Sequence, residues 1–425
     1  MSAPSRHRIR RLGPIEFTAF LAMSMALAAL GIDLMLPAFA EIRTDLGLSA
    51  GSTALAGLVT TYFIGLAIGT VVYGPVSDRV GRRPMLAAGY VVYAAGALAS
   101  ALAPSLAWLL VARFVWGFGA AGPRTVTLAV VRDTYSGERM SRAMSLIMAV
   151  FIVVPVIAPT IGAAATTVMS WRWLFASVLV ATAAVAVWGR RLPETLADEH
   201  RRELTVRELT EAVRIVVADR VTVGMTLALT ALYGGFVAYL GTAELIFGDV
   251  FGAAQRFPVL FGGLAAVMGS AMLLNARIVR RVGTRRLAHT VLVVYLVVAS
   301  ALLATSLATL GVPPLWAFMA LGACLLACHA LLIPNLNTIA MEAMGRVAGT
   351  AAAVIGAIQI AFGALLASLT SRAFDGTVTP LAIGFLAAGV VAAALTMWAE
   401  RGRLFPPLSR PASPQAITGH GPSGR

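Results

Sequence analysis

The sequence contains no lysine, only two cysteines, and few charges of any kind. Charged residues make up 12% of the 425, hydrophobic ones 59%, and the mean hydropathy is +0.85. A chain this apolar cannot present a water-facing surface and reads as a polytopic membrane protein. The scarcity of cysteine excludes a disulfide framework. Cys324 and Cys328 stand four apart on one helix face, a spacing of packing residues rather than metal ligands. No Walker motif occurs, no Gly-rich dinucleotide loop lies between a strand and a helix, and nothing resembles an ATP or metal site. The expectation is therefore no cofactor and no catalysis, with an ion gradient as the source of energy.

What is present is a series of long apolar runs. Stretches long enough to cross hydrocarbon as helix, about 20 residues each, fall at 15–39, 53–74, 84–103, 106–130, 141–166, 171–189, 220–247, 257–276, 287–309, 314–338, 347–370 and 378–399. These twelve runs exclude a barrel of short alternating strands and set the fold class as all-α. The first run carries Asp33 and Pro37 and is followed by eleven more, so it is a retained span rather than a cleaved leader.

The net charge of +14 comes from 33 basic residues, all arginine. With the N-terminus inside, Arg43, Arg172, Arg256 and Arg372 fall in outer loops and Arg113 and Arg124 within span 4, while every other arginine faces the cytoplasm. That is the positive-inside distribution. The charge is then a topology signal rather than a nucleic-acid signal, and both termini are expected in the cytoplasm. The lipid bilayer is the expected surrounding and a monomer the expected unit.

One polar stretch, 190–219, separates an N-terminal set of six spans (15–189) from a C-terminal set (220–400). Its acids and arginines recur at spacings that suit an amphipathic helix. Residues 1–14 form an N-terminal tail, and 401–425, rich in Pro, Gly and Ser, read as a disordered one. The halves echo each other: SDRVGRRPML after span 2 aligns with VRRVGTRRLA after span 8, Gly81 falling on Gly283 and Arg83 on Arg285. Self-similarity at half-chain distance is a mark of transporters built from two bundles, with the substrate site between them.

The loop GPVSDRVGRR (74–83) resembles the signature of the major facilitator superfamily, G-x-x-x-D-R-x-G-R-R, at Gly74, Asp78, Arg79, Gly81, Arg82 and Arg83. Positive-inside logic accounts for the arginines but not for Asp78. The resemblance implies twelve helices in two six-helix bundles, and a conformational latch in which Asp78 docks at the N-terminal end of span 11 and pairs with Arg82 and with Arg132-Asp133 at the end of span 4. A carboxylate at a helix N-terminus gains about 0.3 to 1 kcal/mol from the dipole. In the second half Arg280 stands where the first has Asp78, so only the first half is expected to carry the acidic latch.

Four further stretches, GIDLMLPAFAEI (31–42), RFVWGFGAAGPRTVTLAVVRDTYSG (113–137), VPVIAPTIGAAA with WRWLF (154–175) and GRVAGTAAAVIGAIQ (345–359), are similar to the bicyclomycin and chloramphenicol resistance (Bcr/CflA) branch of the drug:proton antiporters. The resemblance implies an inner-membrane efflux carrier that exchanges a small hydrophobic drug for protons.

Asp33 is the first candidate for proton coupling. An ionised carboxylate inside a span costs about 2.5 to 3.5 kcal/mol on insertion scales, so such a group can take up and release a proton; the rival reading is a helix-end acid that sees water. Arg113 matches the arginine of the family motif R-x-x-Q-G, with Trp116 in place of Gln, and the resemblance implies that it lies beside the span 1 acid as its counter-charge. Pro155, Pro159 and Gly162 match parts of the span 5 antiporter motif, with alanine replacing two of its glycines. Trp116, Tyr62, Arg124, Glu244, Asn335 and Gln359 are candidate cavity residues: Trp116 as a stacking surface, Arg124 for an anionic or polar substrate, Glu244 as a second acid. His329 reads as a packing residue. The alternatives are an exporter of an endogenous metabolite and, from another class, a non-transporting membrane sensor.

Overall fold

The computed structural model describes residues 12–49, 51–197, 206–403 and 405. The N-terminal residues 1–11, the linker residues 198–205 and the tail beyond 405, including most of the stretch expected to be disordered, lie outside the described residues. Among the described residues there are helices and no strands. They are α1 (Pro14–Asp33), α2 (Phe39–Asp45), α3 (Ala56–Val80), α4 (Arg82–Ala101), α5 (Leu106–Thr134), α6 (Gly137–Thr166) and α7 (Trp171–Gly189), then α8 (Val206–Ala218), α9 (Arg220–Leu245), α10 (Phe257–Val282), α11 (Thr284–Ala308), α12 (Leu315–Met341), α13 (Ala348–Arg372) and α14 (Thr379–Ala399).

Twelve helical segments are long and apolar enough to cross a membrane, and they coincide with the twelve runs in the sequence. Several run further than their apolar stretch, to Val80, Thr134 and Val282 for example, because the arginine-rich ends can continue as helix beyond the hydrocarbon. The first span is not one helix. α1 stops at Asp33, a single 3-10 turn (Leu36–Ala38) follows, and α2 completes the crossing to Asp45. Pro37 has no N–H to donate and forces this interruption.

In the first half α5 packs on α3 and α4, α4 on α7, and α1 on α5 and α6; in the second, α9 packs on α13 and α14, and α12 on α10 and α11. Glycine sets how closely the helices approach. A side chain at Gly117 of α5 would collide with the carbonyl oxygen of Tyr62 on α3, and one at Gly65 of α3 with the carbonyl oxygen of Phe114 on α5. These reciprocal contacts bring two backbones together as small residues do in lipid, where packing rather than exclusion from water drives association.

The halves meet through α3 with α13 and α9, and through α6 with α10. The identified contacts between them lie toward the arginine-poor end: Gly241 against Ala56, Gly262 against the Val156 carbonyl, and Phe63 edge-on to Tyr233 at 5.7 Å.

Gly117→Val is expected to abolish a monodisperse folded species in detergent, since overpacking against a backbone carbonyl cannot relax by a rotamer change. Gly263→Ala, whose added carbon would meet nothing within 4 Å, is expected to leave yield and thermal unfolding unchanged.

Candidate functional site

A helix that stops inside the membrane leaves its last carbonyls without partners and no water to satisfy them. Around the end of α1 the protein supplies the donors. Tyr93 Oη donates to the Leu27 carbonyl at 2.5 Å, Tyr62 Oη to Ala28 at 2.8 Å, and Arg113 Nη1 to Gly31 at 2.8 Å. Arg113, fully buried, stands where a cation meets the negative end of the α1 dipole. Its guanidinium lies 4.5 Å from the Tyr62 ring centroid and 4.7 Å from that of Trp116. Such stacking partly replaces the water an arginine gives up.

Asp33, at the end of α1, is 4% exposed. Its carboxylate forms no hydrogen bond or ion pair with a described residue, and it does not pair with Arg113. The expected counter-charge is thus in the neighbourhood but committed to backbone: Arg113 caps the broken helix rather than neutralising the acid. Asp33 is also not a helix-end acid in water, because α2 continues beyond it. The Tyr239 hydroxyl on α9 is likewise buried without a partner among the described residues.

The span 5 motif locks onto this break. Gly162 of α6 lies so close to the Leu34 carbonyl, one residue past Asp33, that a side chain there would collide with it, and the same added carbon would stand 3.4 Å from Pro37. Pro155 and Pro159 lie within the same helix. Beside the break, α1 and α6 flank an open cavity of about 340 Å³ lined by Met23, Ala26 and Leu30 and by Val153, Ile157 and Ile161, almost wholly apolar, with Met23, Val153, Ile157 and Ile161 exposed. Leu30 is one turn before Asp33 along α1.

The six cavity candidates are distributed differently from expectation. Trp116 is 1% exposed, sealed edge-on between Tyr93 at 5.6 Å and Phe175 at 5.5 Å, so it offers no face to a ligand. Tyr62 is buried with its hydroxyl on backbone. Asn335 of α12 bonds Asn275 of α10 at 2.8 Å and is 3% exposed, and Gln359 on α13 is 9% exposed. Glu244 is no second cavity acid. It forms a two-pronged ion pair with Arg43 of α2, the shorter contact 2.7 Å, with both side chains nearly buried. This pair joins the two halves at the arginine-poor end. Arg124 is partly exposed, and it has no hydrogen bond or ion pair with a described residue. For Tyr62, Asn335 and Glu244 the reason is shared: in lipid a polar side chain takes a partner within the protein. The residues lining the apolar cavity carry no sequence signal that separates them from other apolar positions.

At the arginine-rich end the loop after α3 is a charge cluster. Gly81, with φ +116°, makes the turn that only glycine adopts readily. Arg82 reaches Asp78 at 2.5 Å, Asp133 at 2.7 Å and the Ser77 hydroxyl at 2.7 Å. Asp78 pairs with Arg82, but the link to the end of α5 runs from Arg82 to Asp133 rather than from Asp78, and Asp78 bonds no described residue at the start of α13; its side chain is 43% exposed. Gly74, Arg79 and Arg83 are at or near the surface, Arg83 bonding the Arg190 carbonyl at 3.1 Å. Glu194, just after α7 and unremarked in the sequence, accepts from the backbone N–H groups of Arg82 (2.8 Å) and Arg83 (3.1 Å), capping α4. The WRW segment at 171–173 anchors the far end: Trp171 N–H donates to Glu41 at 3.2 Å, and Arg172 pairs with Asp45.

Breaking a buried ion pair by removing one partner is costly, so Glu244→Gln is expected to open the arginine-poor end. In a background of Cys324→Ser and Cys328→Ser, Ala56→Cys should react several-fold faster with a membrane-impermeant maleimide when Glu244→Gln is present; an unchanged rate would contradict a gating role for the pair.

The Major Facilitator Superfamily pattern matches residues 21–368. The MFS-type transporter YdgK of Bacillus subtilis is 31% identical over 82% of this chain and 87% of its own length. A bicyclomycin resistance protein homolog of Haemophilus influenzae is 29% identical over 86% and 91%, and a chloramphenicol resistance protein of Pseudomonas aeruginosa 34% over 40% of each. Among solved structures, a D-xylose-proton symporter superposes with a TM-score of 0.72 at 15% identity, covering 92% of this chain and 99% of that one, a likeness of fold. With its twelve apolar helices the chain is a multi-pass membrane transporter, and it belongs to the major facilitator superfamily.

Proposed function

We propose that this drug efflux transporter moves small hydrophobic antibiotics, of the chloramphenicol, florfenicol or bicyclomycin kind, out of the cell in exchange for protons. The observation that carries the reading is Asp33: a buried carboxylate without a partner, at a break in α1, one turn from an apolar cavity. A cavity of about 340 Å³ lies in the size range of small-molecule pockets. Its lining offers apolar contact and no counter-ion.

The cycle is alternating access in the inner membrane, with both termini cytoplasmic and the monomer as the working unit. With the Arg43–Glu244 side closed, drug enters from the cytoplasm and Asp33 gives up its proton as the drug binds. The halves then rock, the outer pair parts, and a proton from outside reloads Asp33 and releases the drug. Arg113 holds the end of α1 so that the break, and with it Asp33, keeps its place through both states. The cluster of Asp78, Arg82 and Asp133 acts as the latch on the cytoplasmic side, closing on α13 in the outward-facing state. The names of the bicyclomycin and chloramphenicol relatives support the class of cargo.

In an efflux-deficient host, the wild type should raise the minimum inhibitory concentration of at least one of chloramphenicol, florfenicol and bicyclomycin. In everted vesicles that drug should collapse a preformed pH gradient. Asp33→Asn should abolish both effects at unchanged membrane expression. Resistance retained by Asp33→Asn would overturn the proton-coupling role, and no resistance to any drug by the wild type would favour export of an endogenous metabolite.

A further inference from the structure

A second cavity of about 340 Å³ lies at the arginine-rich end of the second half, between the start of α9 and the end of α14. Three arginines border it, Arg220, Arg401 and Arg403, together with Asp219 and Glu400. Both acids are already engaged. Asp219 caps α9, accepting from the Thr222 N–H and the Thr222 hydroxyl at 2.7 Å each. Glu400 pairs with Arg285 at the head of α11. Burial pushes the Glu400 carboxyl up from its ordinary value, Arg285 offsetting part of this and Glu342 adding to it.

Arg401 and Arg403 are not so engaged. Neither the Arg401 nor the Arg403 guanidinium bonds a described residue, and the Nε of Arg220 is buried without an acceptor. Their positions are built rather than incidental. The chain leaves α14 through a left-handed residue, Arg401, with φ +54°, and the turn is closed by the Gly402 N–H on the Met397 carbonyl at 2.9 Å and the Arg403 N–H on Glu400 at 3.0 Å. Beyond it, the Phe405 N–H donates to His289 Nδ1 at 3.1 Å, which pins the segment to α11. Arg220 is stacked over Trp398 at 4.7 Å, and donates to the Trp398 carbonyl. Trp398 is 48% exposed in the last turn of α14, the place of an aromatic at a membrane interface.

We propose that this cavity binds the phosphodiester headgroup of an anionic phospholipid of the cytoplasmic leaflet. The chemistry is complementary in three respects. A phosphodiester supplies several acceptor oxygens to the unmatched guanidinium donors, its charge offsets an excess of arginine over free acid, and its acyl chains can descend beside Met397 and Leu227, exposed by 49% and 42%. Arginines at the cytoplasmic border gain most from a negatively charged leaflet. A soluble phosphate would find the same donors but no apolar flank.

The test uses the full chain purified in mild detergent, with lipid retention read by native mass spectrometry and thermal unfolding followed in parallel. Phosphatidylglycerol should be retained in preference to phosphatidylcholine by about thirtyfold, the order expected for two arginines near a charged surface. It should also raise the unfolding temperature. The double variant Arg401→Gln and Arg403→Gln should lose that preference while unfolding in phosphatidylcholine as the wild type does. The pair Arg139→Gln and Arg142→Gln, exposed arginines at the head of α6, should keep it. A preference unchanged in the Arg401 and Arg403 variant overturns the assignment. So does equal stabilisation by millimolar inorganic phosphate alone, which would make the cavity a site for a free anion.

Discussion

Inside a bilayer a helix cannot stop unless protein satisfies the carbonyls it leaves behind, and that constraint, imposed at Asp33, organises the first half of this transporter. Arg113, Tyr62 and Tyr93 each donate to a carbonyl in the last turns of α1. Those three side chains come from α5, α3 and α4, so the three helices must pack tightly enough to bring them there. The glycine contacts between α3 and α5 provide that approach. Gly162 of α6 closes the other side of the break against the Leu34 carbonyl. The interruption leaves one carboxylate buried in the membrane with no partner, beside an apolar cavity.

The two halves repeat this economy of charge at the arginine-rich end with a change of register. In the first half Arg82 binds Asp133 at the end of α5, and Glu194 from the segment after α7 caps the same helix start. In the second, Arg285 binds Glu342 just past α12 at 2.5 Å and also Glu400 just past α14. Sequence alignment sets Arg285 against Arg83, yet the role it plays is that of Arg82. Only Asp78 has no counterpart, since Arg280 occupies its place, so the half-chain symmetry extends to the scaffold of the cluster and stops at Asp78.

Hydrophobic length alone located all twelve spans, because the membrane sets one dimension that each must meet. The loop motif likewise led to the Arg82 cluster with Asp78 and Asp133. Partnering was harder to read. Asp33 and Arg113 look like an ion pair when each is an isolated charge in an apolar run, but the stop in α1 creates a competing acceptor, the Gly31 carbonyl, that the sequence does not display. Trp116 and Tyr62 look like ligand surfaces and are instead walls around Arg113. Glu244 reads as a cavity acid until the fold brings Arg43, some two hundred residues away, against it. Glu194 gives no signal at all, because capping the start of a distant helix requires only an acid in the right place. The apolar cavity is made of residues that resemble every other residue in these spans.

The proposed cycle requires Asp33 to exchange a proton as cargo binds, and difference infrared spectroscopy of the reconstituted protein reads that exchange directly. Adding chloramphenicol to the wild type should remove a protonated-carboxyl C=O band, and the change should be absent from Asp33→Asn. A band that persists when drug is shown to bind, or one that disappears equally in Asp33→Asn, would contradict the account.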